Sequence, residues 1–120
     1  MKGYLFLEYP ACGTCRKAKK WLDEQKVDYT DRHIVEERPT REELKIWFER
    51  SGLPLRKFFN TSGLLYKSMQ LKEKLDGMSE EKQLELLASD GKLVKRPLVI
   101  GEDFVLVGFK PEEWEKVLLK

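Results

Sequence analysis

The feature that most constrains the fold of this chain is a pair of cysteines placed between an apolar segment and a basic one. Cys12 and Cys15 are its only cysteines, and two residues separate them. Residues 3–9 (GYLFLEY) are short, rich in aromatic side chains and followed by Pro10, which predicts a buried strand. Residues 13–26 carry apolar side chains at helical spacing among lysines and arginines, which predicts an amphipathic helix. The pair therefore lies at a strand-to-helix junction.

A second strand is predicted directly after this helix. Residues 27–35 (VDYTDRHIV) begin with alternating side chains and end with two apolar ones. Strand, helix and strand joined by short connections form a βαβ unit, so the first two strands should be parallel.

The middle of the chain is predicted to be helical. Thr40 and Glu43 form a capping-box pattern at the start of one helix, and Gly52 is placed to end it. Ser79 is the expected N-cap of a later helix, and Gly91 is the residue expected to end that helix. This helical block covers about residues 39–92 and is interpreted as an insertion within a single domain of residues 1–120.

The last part of the chain is predicted to be a hairpin followed by a helix. Residues 98–100 and 104–107 have the composition of short strands, with a Gly-Glu-Asp loop between them. Pro111 suits the first turn of a terminal helix. The predicted order is βαβ, a helical block, then ββα, which is an α/β architecture.

Composition excludes several classes of function. The 23 basic and 21 acidic residues leave a net charge of +2, which gives no case for direct binding of nucleic acid or of an anionic membrane. No segment approaches the roughly 18 apolar residues of a membrane-spanning helix, and the N-terminus does not have the pattern of a signal peptide. The expected location is cytoplasmic, where a cysteine pair is more often redox-active or metal-binding than structural.

The position of the pair predicts different roles for its two thiols. Cys12 lies at the N-terminus of the helix, where unpaired N–H groups and the helix dipole favour the thiolate. Arg16 and Lys17 add positive charge, and Gly13 allows a ligand to approach the backbone. Cys15 lies nearly one turn further on and should be less exposed. Cys12 is therefore the predicted nucleophile and Cys15 the resolving thiol.

Three other interpretations of the pair stay open. In the first interpretation, both cysteines serve as small buried hydrophobic residues. A zinc site is the second, but it needs four ligands, and the chain has no second Cys-x-x-Cys and a single histidine, His33. His33 is expected to be an ordinary surface or half-buried residue, and no metal is expected. The third is an oxyanion site at the helix N-terminus, which is compatible with thiol chemistry.

Four segments in sequence order resemble the arsenate reductase (ArsC)/Spx-like family: YPACGTCRKAKKWL, FFNTSGLLYKSM, LLASDGKLVKRPLVI and LVGF. The resemblance covers essentially the whole chain. It implies a thioredoxin-like fold with a mixed four-stranded sheet and a helical insertion. It also places the catalytic cysteine on Cys12 and an arginine that precedes a cis-proline on Arg96, with Pro97 as the cis residue. From the residues alone, KRPLVI indicates only a solvated charge and the start of a strand.

The same resemblance shows two departures from arsenate reductases. Positions at which those enzymes use further arginines to hold the oxyanion correspond to Asn60 and Gly108, neither of which is charged. Efficient arsenate reduction is therefore not expected. Spx regulators bind the C-terminal domain of the RNA polymerase α subunit partly through a glycine, and Gly52 has a similar place here.

Two functions from different classes are thus expected. The first is a thiol-dependent oxidoreductase with Cys12, Cys15 and Arg96 as catalytic residues, and with Gly13, Arg16 and Pro97 beside a bound substrate or anion. Its substrate is a small thiol, an oxyanion or a protein disulfide; glutathione, glutaredoxin or thioredoxin donates electrons, and no cofactor is bound. The second is an Spx-like redox-sensitive regulator that binds RNA polymerase. A monomer is expected in both cases.

Overall fold

The computed structural model describes residues 3–119 and places a mixed four-stranded sheet at the centre of the fold. The strand order is β2-β1-β3-β4, with β1 parallel to β2, β3 antiparallel to β1 and β4 antiparallel to β3. The predicted α/β, thioredoxin-like fold class is confirmed. The strand bounds are β1 Tyr4–Glu8, β2 Tyr29–His33, β3 Leu98–Ile100 and β4 Val105–Val107.

Six α-helices surround the sheet in the described part of the chain, and four of them lie between β2 and β3. Their bounds are α1 Gly13–Glu24, α2 Arg41–Ser51, α3 Leu64–Ser68, α4 Leu71–Lys74, α5 Glu80–Ser89 and α6 Pro111–Leu118. Short 3-10 turns cover Leu55–Phe58, Leu75–Gly77 and Gly91–Leu93. Within residues 3–119, no helix combines the length and the apolar content that crossing a bilayer requires.

The sheet separates two hydrophobic cores because successive side chains of a strand point to opposite faces. On one face α1 and α6 pack against the sheet, and the buried residues there are Phe6, Ala18, Leu22, Val99, Leu106 and Trp114. On the other face the helices between β2 and β3 form the larger core, which includes Leu7, Leu44, Leu84, Leu98 and Ile100. This arrangement holds the N-terminus of α1 at one end of the sheet.

The predicted start and stop signals of α2 are confirmed. Thr40 accepts a hydrogen bond from the Glu43 N–H, and the Glu43 side chain accepts one from the Thr40 N–H, which completes the capping box. Gly52 ends α2 in the left-handed conformation, with φ of 71°. Ser79 caps α5 by accepting from the Lys82 N–H.

The prediction for Gly91 was wrong. Helix α5 ends at Ser89 with Asp90 as its C-cap, and Gly91 begins the following 3-10 turn. A Cβ at Gly91 would lie 2.0 Å from the Ile34 carbonyl oxygen. Glycine is required here because two backbone segments touch, and this contact between distant parts of the chain gives no local sequence signal.

Candidate redox site

Cys12 lies at the entrance to α1 and Cys15 lies one turn inside it. Cys12 is the N-cap residue of the helix, with φ of −88° and ψ of 123°, and its N–H donates to the Tyr9 carbonyl at 2.9 Å. Cys12 is half-buried, whereas Cys15 is fully buried against the sheet, and both thiols are free. The predicted difference in exposure is confirmed.

The surroundings of Cys12 favour its thiolate. Partial burial raises the pKa of Cys12, but hydrogen bonding by the Cys15 N–H, the Cys15 side chain, Arg96 and the Thr14 N–H outweighs burial, and the pKa lies below its ordinary value. The contacts with the Thr14 and Cys15 N–H groups place the sulfur at the helix N-terminus, but their geometry is looser than that of a side-chain cap hydrogen bond.

The surroundings of Cys15 favour its protonated thiol. Burial, with a smaller contribution from the neighbouring Cys12 sulfur, raises the pKa of Cys15 to about 12. The Tyr9 N–H donates to Cys15 Sγ at 3.4 Å, which lowers the pKa by less than burial raises it. Near neutral pH the pair therefore combines one activated sulfur with one protonated sulfur.

Arg96 comes from the opposite end of the sequence and lies beside the cysteine pair. Its peptide bond to Pro97 is cis, directly before β3. Nη1 of Arg96 donates to the Lys92 carbonyl at 3.3 Å, and the guanidinium carbon lies 5.0 Å from the centre of the Tyr9 ring. Arg96 lowers the pKa of both sulfurs, by hydrogen bonding to Cys12 and by its charge at Cys15. The structure thus brings Arg96 to Cys12 and Cys15.

Gly13 and Arg16 are at the helix N-terminus, but Arg16 is engaged elsewhere. Nη1 of Arg16 donates to the Pro10 carbonyl at 2.9 Å, so this side chain braces the turn before Cys12. Gly13 is exposed, and a Cβ there would have only the Arg16 side chain within 4 Å, at 3.9 Å. Binding of a ligand by these two residues stays a prediction.

Asn60 and Gly108 both border the segment of Arg96 and Pro97. Nδ2 of Asn60 donates at 3.4 Å to the same Lys92 carbonyl that Arg96 contacts. The Gly108 N–H donates to the Pro97 carbonyl at 2.9 Å. Gly108 has φ of 76°, a conformation that L side chains rarely adopt. The site is therefore bordered by two uncharged residues, and one of them is constrained to be glycine.

Comparison with known proteins assigns this arrangement to a family. The family model described as "ArsC family" matches residues 7–117. The chain belongs to the ArsC family. A crystal structure of an ArsC family related protein from Bacteroides fragilis superposes with a TM-score of 0.93 at 64% identity, covering 96% of this chain and 97% of that one.

Two curated relatives from Bacillus subtilis differ in what their names say. The uncharacterized protein YusI is 58% identical over 111 residues, covering 92% of this chain and 94% of YusI. The regulatory protein MgsR is 32% identical over 115 residues, covering 96% of this chain and 90% of MgsR. This chain is thus similar over most of its length both to a protein of unassigned activity and to a regulator.

Sequence reasoning missed the surroundings of two residues that precede the cysteine pair of this ArsC family member. Tyr9 was assigned only to the end of a strand, but its backbone contacts both cysteines and its ring lies under Arg96. Glu8 is 6% exposed at the end of β1, where burial and a hydrogen bond with Asp31 raise its pKa to about 7. The available signal was a carboxylate and an aromatic residue in an otherwise apolar run just before Pro-x-Cys.

His33 has a structural place beside these residues. Its Nδ1 accepts hydrogen bonds from the Val35 and Glu36 N–H groups at 3.2 and 3.0 Å. Its ring lies edge-on to the Tyr9 ring, with the two ring centres 5.7 Å apart. Among residues 3–119, no three His, Cys, Asp or Glu side chains are grouped in a way that could hold a metal ion.

Proposed function

We propose that this ArsC family member is a thiol-dependent oxidoreductase in which Cys12 attacks the substrate and Cys15 resolves the intermediate. The observation that carries the proposal is the opposite direction of the two pKa shifts. The pKa of Cys12 is lowered by its hydrogen bonds and by Arg96, whereas burial raises the pKa of Cys15 to about 12. An attacking thiol needs thiolate character, and a resolving thiol needs only to reach the first sulfur.

The proposed reaction is the reduction of a disulfide. The Cys12 thiolate attacks one substrate sulfur; a Cys12–substrate disulfide forms, the substrate disulfide breaks, and the first thiolate leaves and takes up a proton. Cys15 then loses its proton and attacks Cys12 Sγ, which forms the Cys12–Cys15 disulfide and releases the second substrate thiol. The substrate gains two electrons, and the cysteine pair loses two.

The cycle closes when an external thiol reduces the Cys12–Cys15 disulfide. Glutathione, glutaredoxin or thioredoxin is the proposed class of donor, since each carries out thiol–disulfide exchange. The half-buried Cys12 sulfur is the proposed point of attack by the donor, because Cys15 is fully buried.

The experiment that tests this proposal uses serine variants of each cysteine with a small disulfide substrate. Cys15→Ser should accumulate a Cys12–substrate mixed disulfide that mass spectrometry detects, whereas wild-type protein should form the internal disulfide and lose two hydrogens. Cys12→Ser should react at least tenfold more slowly. Equal rates for Cys12→Ser and wild type, or mixed disulfide found on Cys15, would contradict the assigned roles.

A second candidate function, a redox-sensitive regulator, has one observation in its favour. The relative MgsR carries the name of a regulatory protein and matches 96% of this chain. Gly52 at the end of α2 is exposed, and a Cβ there would have nothing within 4 Å, so a partner surface has access to it. Its φ of 71° is also what a helix C-cap requires.

The regulatory candidate has its own test. Oxidised and reduced protein are each passed over immobilised C-terminal domain of the RNA polymerase α subunit. A regulator should bind in a manner that depends on the redox state and without turnover. The absence of binding in both states would exclude this partner and leave the oxidoreductase proposal unaffected.

A further inference from the structure

Tyr9 contacts Cys12, Cys15 and Arg96. Its carbonyl accepts from the Cys12 N–H at 2.9 Å, and its own N–H donates to Cys15 Sγ at 3.4 Å. Its ring lies under the Arg96 guanidinium, with the guanidinium carbon 5.0 Å from the ring centre. The backbone contacts are available to any residue at this position, but the contact with Arg96 needs an aromatic ring.

The Arg96 guanidinium has few other restraints. Apart from its hydrogen bonding to Cys12, the Arg96 guanidinium donates within residues 3–119 only to the Lys92 carbonyl, at 3.3 Å, and it makes no salt bridge there. A long side chain with many rotamers loses conformational entropy when it is held in one place. The electron-rich face of an aromatic ring attracts a guanidinium at this distance and favours one position of it.

The Tyr9 ring is itself held in place. The His33 ring meets it edge-on at an interplanar angle of 81°, with the ring centres 5.7 Å apart. Nδ1 of His33 accepts from two backbone N–H groups, so that ring is anchored to the turn after β2. The contacts thus run from this turn through His33 and Tyr9 to Arg96 and Cys12.

We propose that Tyr9 is a positioning residue whose ring holds the Arg96 guanidinium against Cys12. The inference deepens the proposed thiol chemistry, and its role in turnover rests on that function. The inference itself concerns the state of the Cys12 sulfur in the resting protein, so it is tested without any substrate. The groups that act on this sulfur are Arg96, the Cys15 side chain and the N–H groups of Thr14 and Cys15.

The test measures how the rate of Cys12 alkylation by iodoacetamide depends on pH, with the labelled peptide identified by mass spectrometry. Tyr9→Phe keeps the ring and should keep the apparent pKa of wild type. Tyr9→Met and Arg96→Met should each raise it by roughly one unit, which is the lower end of the effect of an opposite charge within 4–6 Å. At a pH below both values, this shift slows labelling about tenfold.

The double variant separates positioning from a general structural effect. If the ring acts through Arg96, Tyr9→Met combined with Arg96→Met should show the shift of one variant and not the sum of two. Tyr4→Leu in β1, the strand that Tyr9 follows, is the matched control and should not move the pKa of Cys12. Circular dichroism checks that each variant is folded, and Tyr9→Leu replaces Tyr9→Met if the latter is unfolded.

Two results would overturn the proposal. One is a folded Tyr9→Met or Tyr9→Leu variant with the wild-type pKa of Cys12. The other is full additivity of the Tyr9 and Arg96 shifts. Failure of the oxidoreductase proposal would appear differently, as a wild-type protein that has a low Cys12 pKa but reduces no disulfide.

Discussion

Among residues 3–119, Glu8 is a charged residue that is almost fully buried. It ends β1 with 6% of its surface exposed, while Asp31 lies on the neighbouring strand β2. Burial, followed by the hydrogen bond and charge of Asp31, raises the pKa of Glu8 to about 7, and Lys19 opposes this in part. Lys19 of α1 forms an ion pair with Asp31. Of the Glu8 and Asp31 carboxyls, Glu8 is therefore the one that holds a proton below neutral pH.

This residue should make folding stability depend on pH. In the unfolded chain Glu8 titrates near its ordinary pKa of 4.5, whereas in the folded protein its pKa is about 7. Between these values the folded state binds a proton that the unfolded state has released, so the free energy of unfolding falls as pH rises and then levels off above pH 7. The loss is at most about 3 kcal/mol, since each pKa unit corresponds to about 1.4 kcal/mol.

The measurement is urea unfolding of wild type and Glu8→Gln between pH 4.5 and 8. The difference in unfolding free energy between the two proteins should change between pH 4.5 and about 7 and be constant above that. Glu85→Gln, at an exposed position of α5, is the control and should follow wild type. Parallel curves for wild type and Glu8→Gln would show that the Glu8 carboxyl titrates normally in the folded protein.

The sequence predicts the cysteine pair better than it predicts the pair's neighbours. Cys12 and Cys15 are recognisable because a helix N-terminus acts on residues within one turn of it. Arg96 reaches the site only through the fold, so the residues alone do not mark it and only the family resemblance does. The ring of Tyr9 and the burial of Glu8 depend on packing between β1, β2 and α1, which leaves no local pattern.

At the scale of elements, sequence signals predicted helix ends correctly where the interacting residues lie within one turn of each other. They did not predict contacts between distant elements. The capping box of α2 involves residues three apart, and it forms as predicted. Gly91 has the pattern of a helix stop, but what requires glycine there is the Ile34 backbone directly after β2. The contact joins the segment after α5 to the βαβ unit and fixes how closely the two approach.

Substitution of Gly91 should therefore destabilise the protein more than substitution of a glycine that has open space around its Cα. A Cβ would lie 2.0 Å from the Ile34 carbonyl oxygen, and backbone on both sides would have to move. We expect Gly91→Ala to cost about 3 kcal/mol, the upper part of the range for overpacking. Gly77→Ala is the matched control, because nothing lies within 4 Å of a Cβ there, and it should be nearly neutral. Urea unfolding measures both, and equal midpoints would contradict the assigned contact.

At the scale of the whole molecule, the site forms only when four distant segments meet. Cys12 follows β1, Asn60 lies in the block between β2 and β3, Arg96 precedes β3 and Gly108 follows β4. The Lys92 carbonyl joins Asn60 to Arg96, and the Pro97 carbonyl joins the cis-proline to Gly108. The fold thus determines which positions surround the Cys12 thiolate. The residue types at these positions determine how much negative charge on a substrate the site can hold.

The residue types at these positions bear directly on whether the protein can reduce arsenate. An oxyanion bound to Cys12 needs donors aimed at its charge, and one such donor is often worth about 3 kcal/mol. The groups at the sulfur are Arg96 and the N–H groups of Thr14 and Cys15. Asn60 is neutral, and Nδ2 of Asn60 already donates to the Lys92 carbonyl. We therefore expect weak or no arsenate reduction by the wild-type protein.

Introducing an arginine should have different effects at Asn60 and at Gly108, the two positions that depart from arsenate reductases. Asn60→Arg adds a charge at a half-buried position beside Arg96 and should raise arsenate-dependent kcat/KM at least about tenfold, a conservative share of one such donor. Asn60→Gln, which adds length without charge, should not. Gly108→Arg should lose stability instead, because φ is 76° and the new Cβ would lie 3.3 Å from Cε of Lys95. The measurement is steady-state, arsenate-dependent oxidation of glutathione and glutaredoxin. Efficient wild-type turnover that Cys12→Ser abolishes would show that Arg96 and the helix N-terminus suffice to hold the oxyanion.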